Sequence, residues 1–193
     1  YMRKKFPLLR FAPRELNFDR RKCEILLAMA LPMGLQYSIT AIGSVIVQSA
    51  VNMLGTVTVA AVTAGQKISM FLCSVYDALG ATMATYAGQN VGAGKLRRVK
   101  EGVYVATRIG ILYGLLAFLL CFLSGDKLPQ LFISAEQTEI LRQAKLFLLA
   151  NAAFYGALTV VNVWRFTIQG MGYSVFAILA GVAEMAARTF MGF

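Results

Sequence analysis

The chain has 193 residues, 58% of them hydrophobic and 15% charged, with a mean hydropathy of +0.64, whereas soluble domains carry roughly 25% charged residues. A formal net charge of +10 would suggest a nucleic-acid surface in a soluble protein, but the basic residues gather at the ends of apolar stretches. That pattern argues against nucleic acid as a partner and for orientation in a lipid bilayer.

Residues 1–22 carry Arg3, Lys4, Lys5, Arg10, Arg14, Arg20, Arg21 and Lys22 around Pro7 and Pro13, and read as a basic, loosely structured segment. The opening "YMRKKF" lacks the apolar core of a signal peptide, and a chain starting on tyrosine is expected to be an excerpt of a longer one. Charge is then absent from 25–66, 109–125, 146–164 and 166–183, runs near or above the about 18 apolar residues of a spanning helix. Five transmembrane helices are expected, at about 23–52, 57–88, 102–123, 139–168 and 174–193, forming an all-α polytopic membrane bundle. Pro32 and Gly34 sit inside the first, where a proline removes one N–H and predicts a kink.

The segment "YAGQNVGAGKLRRVK", residues 86–100, invites a phosphate-loop reading that its spacing rejects. A P-loop ending in Gly94-Lys95 needs glycine at position 89, which is Gln89, and a hydroxyl after the lysine, where Leu96 stands. The dinucleotide pattern needs a third glycine where Arg97 lies. Gly88, Gln89, Asn90, Gly92, Gly94 and Lys95 are therefore expected to form a turn at the cytoplasmic end of the second helix. By the positive-inside rule, Lys95, Arg97, Arg98 and Lys100 hold residues 89–101 in the cytoplasm together with 1–22, and the turns at 53–58 and 124–136 lie outside.

Charges inside spans cost about 2.5–3.5 kcal/mol each on insertion scales and are functional candidates by default. Five qualify: Lys67, Asp77, Arg165, Glu184 and Arg188. Glu184 and Arg188 are spaced to pair on one helix face. Lys67 and Asp77 lie about 15 Å apart along the second helix and about 80° apart around it, so both can face a wet interior but need different partners. Gln36, Tyr37, Thr40, Gln48 and Asn52 supply hydrogen-bonding groups to the first helix, with Gln48 and Asn52 on one face as cavity-lining candidates. Met29, Met33, Met53, Met70 and Met83 offer an adaptable surface for greasy ligands. Cys23, Cys73 and Cys121 are widely spaced and the chain has no histidine, so neither a disulfide framework, a metal site nor a cofactor is indicated.

The order of "ALPMGLQYSI", "VQSAVNMLGTVTVAAVTAGQKIS", "GATMATYAGQNVGAGKLRRVKEGV" and "NVWRFTIQGMGYSVFAILAGVAEMAARTF" resembles the second half of a multidrug and toxic compound extrusion (MATE) transporter. The resemblance runs over nearly the whole chain, and "GQNVGAGK" followed far downstream by "QGMGYS" is its most specific part. It implies two six-helix lobes around a central cavity, exporting small amphiphilic organic cations in exchange for H⁺ or Na⁺ from the plasma membrane. This chain would supply the inter-lobe segment, residues 1–22, and helices seven to eleven in 23–193; the N-terminal lobe and the twelfth helix would be its missing partners. The sodium-coupled branch carries a helix-seven glutamate where this chain has Thr40, and a helix-ten aspartate where it has Leu158. On that comparison this half lacks the branch's cation-binding carboxylates, and coupling would rest on the other lobe.

Two alternatives accompany this reading: a lipid-linked oligosaccharide flippase of the same superfamily, whose cavity would carry more cationic side chains, and a membrane scaffold without transport activity. An enzyme is disfavoured, since the chain has no histidine and no paired carboxylates within a helix, and no catalytic residue is assigned.

Overall fold

A computed structural model describes residues 18–125 and 127–192. Most of the basic segment 1–22, and Asp126 in the expected external loop, lie outside the described residues. Among the described residues six α-helices follow one another: α1 Arg20–Asn52, α2 Thr56–Gly92, α3 Leu96–Ser124, α4 Thr138–Ala153, α5 Tyr155–Gly170 and α6 Val175–Gly192. A short 3-10 turn, Pro129–Leu131, leads into α4. The protein is a polytopic helical bundle in which α1, α2 and α3 are each long and apolar enough to cross a membrane, as is the bent pair α4–α5 when taken together.

α1 begins three residues before the expected start because Asp19 caps it, its carboxylate accepting the Lys22 N–H at 3.2 Å. The helix continues through Pro32 to Asn52. α2 has 37 residues, about 55 Å at 1.5 Å per residue, well beyond the roughly 30 Å of a hydrocarbon core. That length corrects the expected glycine turn. Gly88, Gln89, Asn90 and Gly92 are helical, and only Ala93, Gly94 and Lys95 make the reversal, with Gly94 at φ +71° and the Lys95 N–H bonded to Asn90 O at 2.7 Å. The third helix starts at Leu96 rather than near Gly102, since charged residues beyond the bilayer still hold a helix when paired as Arg97 and Glu101 are at 2.8 Å.

The expected helix over 139–168 is broken at Phe154, with a 49° bend between α4 and α5. The ladder tightens there into an i→i+3 bond from the Phe154 N–H to Asn151 O, and Gly156 lies two residues further on.

Helices α2 to α5 form one packed group. α2 turns a stripe of Ala61, Ala64, Ile68, Leu72, Tyr76, Gly80 and Met83 inward at three- and four-residue spacing, and α3 contributes Val99, Val103, Ala106, Ala117 and Cys121. Small residues let the backbones approach: Gly65 faces Phe147, and Gly80 faces Phe166. At the centre Tyr76 packs against Tyr113 and Tyr155 with ring centroids 5.2 and 5.6 Å apart. α1 and α6 form the second group, crossing at Gly43, which faces Met185 and Arg188, and at Gly181, which faces Gln36. This pair packs along its length and touches the other group sparingly, α1 against α2 and α6 against α5.

Candidate functional site

A cavity of about 840 Å³ lies between these two groups, walled by α1 and α6 on one side and by α2 and the broken α4–α5 span on the other. The break itself contributes, through Asn151, Phe154 and Tyr155. Thr40 and Leu158, the positions at which the sodium-coupled branch would carry carboxylates, both line this space.

The charged side chains on the wall are Asp77, Arg165, Glu184 and Arg188. Glu184 on α6 accepts from Arg188 Nε at 3.1 Å and Nη2 at 2.6 Å, both at Oε1. Its other oxygen, Oε2, stands 4.0 Å from Nη1 of Arg165 on α5. Arg165 donates from Nη2 to Asn162 Oδ1 at 2.9 Å and lies 5.3 Å over the Phe166 ring. Arg188 also reaches across the helix pair, donating from Nη1 to Ser44 Oγ on α1 at 3.2 Å. One carboxylate is thus shared by two guanidiniums. Asp77 on α2 lines the same cavity and has no hydrogen bond or ion pair among the described residues.

Uncharged polar groups follow the same seam. Gln36, Thr40 and Ser44 repeat every four residues along α1, which puts them on one winding face. Gln36 and Gln169 are buried, and the Gln169 Nε2 donates to Gln36 Oε1 at 2.8 Å, linking α1 to α5. Beside that link, Thr40 Oγ1, Arg165 Nε and Gln169 Oε1 are buried without a hydrogen-bond partner. Buried polar atoms are satisfied in the great majority of cases, so three on one seam mark a place where a ligand or water belongs.

The sequence-predicted residues divide accordingly. Thr40, Asp77, Glu184 and Arg188 share the cavity. Lys67 is elsewhere: its ammonium lies 5.4 Å over the ring of Phe132, in the segment before α4. Ten residues of helix carry it to a different face from Asp77. Gln48 and Asn52 also lie outside the cavity, where Gln48 Nε2 donates to Asn52 Oδ1 at 3.0 Å near the end of α1. Each satisfies the other, as i, i+4 amides on an exposed face do. Met83 is buried in the helix core and Met53 and Met70 are exposed away from the cavity. Sequence reasoning missed Ser44, Asn162 and Gln169; the four-residue repeat from Gln36 through Ser44 was the available signal for the first.

The MatE family model matches residues 32–192 of the chain. The chain is 23% identical over 141 residues to "Probable multidrug resistance protein YoeA" of Bacillus subtilis (strain 168), an alignment covering 72% of this chain and 30% of that protein. Its fold is similar to that of a MOP superfamily transporter from Pyrococcus furiosus Vc1 (DSM3638), with a TM-score of 0.75 at 16% identity over 87% of this chain and 41% of that one. The chain therefore spans less than half the length of these relatives.

Proposed function

The chain belongs to the MatE family of multi-pass membrane transporters, and from that membership we propose that it forms one lobe of a secondary carrier exporting small amphiphilic organic cations in exchange for H⁺ or Na⁺. The observation that carries this reading is the cavity itself. It lies at a seam between two helix groups that touch sparingly and is lined by Asp77, Arg165, Glu184 and Arg188. Carriers built from repeated halves bind near the midplane, where the halves meet, and alternate by moving rigid bundles around the site.

In this proposal Asp77 presents an unpaired carboxylate to the cationic end of the substrate, and Phe154, Leu158 and Val161 supply apolar contact. Thr40 and the Glu184–Arg188 pair line the exchange pathway. Residues 1–22 and the Lys95–Lys100 face lie in the cytoplasm, with the protein in the plasma membrane. The multidrug name of the Bacillus relative supports the substrate class.

The test is dye efflux in everted vesicles that contain the whole protein. Ethidium movement should start on imposing a proton or sodium gradient and should fall at least about tenfold in Asp77→Asn, the scale of a lost charge-assisted contact. Efflux unchanged by either gradient would refute exchange, and full efflux in a folded Asp77→Asn would remove that residue from the site.

A further inference from the structure

Arg165 is placed as a ligand residue would be, and its surroundings say what kind of group it meets. It lines the cavity, and its side chain is 19% exposed in this chain. Glu184 is already engaged by Arg188 through Oε1 and approaches Arg165 only at 4.0 Å. The Nη2 is tied to Asn162, which fixes the plane of the guanidinium, while the Nε–H is buried and donates to nothing. A guanidinium with an idle donor, beside one carboxylate that serves two cations, is an incomplete ion-pair set.

Thr40 stands where it can share the missing acceptor. Gln36 and Gln169 are joined across the seam, and Thr40 and Arg165 each lie one helical turn from them, at Gln36 plus four and Gln169 minus four. α1 and α5 run in opposite directions, as the span order requires, so both steps lead toward the same end of the cavity. The Thr40 hydroxyl is buried there and, like Arg165 Nε, has no partner. Two buried donors without partners, each one turn in the same direction from the Gln36–Gln169 link, fit an oxyanion, for which the guanidinium fork is matched in shape and charge.

We propose that Arg165, with Thr40, docks a carboxylate or phosphate oxygen of the transported molecule, so that the preferred ligands are amphiphiles bearing an oxyanion together with the positive charge that Asp77 accepts. This rests on the transporter reading and narrows its substrate class to zwitterionic amphiphiles. Arg165 can be removed without stranding Glu184, because Arg188 remains on that carboxylate.

The experiment uses the whole protein in vesicles with rhodamine B and its ethyl ester, which share one cationic ring system and differ in whether the carboxylate is free. Binding is read by fluorescence anisotropy and transport by efflux. Wild type should bind the free acid more tightly than the ester. Arg165→Gln should weaken binding of the acid about tenfold and of the ester less than about twofold, on the scale of one charge-assisted hydrogen bond. Arg165→Lys should fall between, and Thr40→Val should lose selectivity in the same direction. Equal weakening of both dyes in a folded Arg165→Gln protein, or none, would overturn the proposal. Efflux of the ester alongside such a result would leave the transporter reading standing, whereas failure to bind or move either dye would sink both. Phosphatidic acid in the vesicles separates the sources: Arg165-dependent competition with rhodamine B assigns the oxyanion to a lipid headgroup, and no competition assigns it to the soluble amphiphile.

Discussion

Gly88 on α2 and Gly170 at the end of α5 meet backbone to backbone, close enough that a Cβ on Gly88 would stand 3.0 Å from the Gly170 carbonyl oxygen. A Cβ on Gly170 would run into the carbonyl of Ala84 on the same α2 face. The two motifs "GQNVGAGK" and "QGMGYS", far apart in the chain, thus meet at one helix crossing, where Gly88 and Gly170 allow the close approach.

Gly170→Ala should therefore destabilise the bundle by about 1–3 kcal/mol, the cost of overpacking a close contact. Gly92→Ala is the control, since a Cβ there meets nothing within 4 Å. Melting temperatures of the purified protein in detergent should fall for the first and hold or rise for the second. Equal behaviour would mean that the crossing tolerates a methyl group.

Glu184→Gln should leave Arg165 and Arg188 facing each other without their shared carboxylate. The three side chains are 19–37% exposed, so a cost of about 2 kcal/mol is expected, between the exposed and the buried ion-pair ranges. Adding Arg188→Gln removes the second guanidinium and leaves Arg165 bonded to Asn162, and thermal stability should largely return. A double mutant as unstable as the single would mean that Glu184 matters chiefly to Arg165. Recovered stability without recovered transport would make Glu184 a residue of the coupling step.

The all-helical membrane class was legible because long uncharged runs and clustered basic residues report bilayer and loop directly. The α4–α5 break was not, since "NAAFYGAL" contains no proline and its Gly156 alone is a weak breaker signal. The ends of α2 and α3 were missed for another reason: polar residues outside the bilayer read as loop while remaining helical. At the site, spacing placed Glu184 with Arg188, but that Arg165 from another helix approaches the same carboxylate is a tertiary fact without a local signature. The separation of Lys67 from Asp77 around α2 was visible in the helical period, while which of them meets the cavity depends on packing that one helix cannot reveal.

Lys67→Gln should accordingly leave transport within about twofold of wild type, since what it loses is one exposed contact with the Phe132 ring, on the order of 0.5–1 kcal/mol. Parallel efflux assays on Lys67→Gln and Asp77→Asn check this. Inactive, well-folded Lys67→Gln protein would bring Lys67 into the pathway.

Leu96 is 60% exposed at the start of α3, next to the basic run. In a background with Cys23, Cys73 and Cys121 replaced, Leu96→Cys should react with an impermeant maleimide in everted vesicles and stay unlabelled in intact cells. Labelling from outside would invert the proposed orientation.

The most direct measurement of the two-lobe proposal compares ethidium transport by proteoliposomes holding residues 1–193 alone with those holding the chain joined to a preceding six-helix lobe. Gradient-driven transport is expected only from the joined protein, because alternation needs two bundles around the shared cavity. Equal transport by the 193-residue chain as a monomer would contradict the proposal.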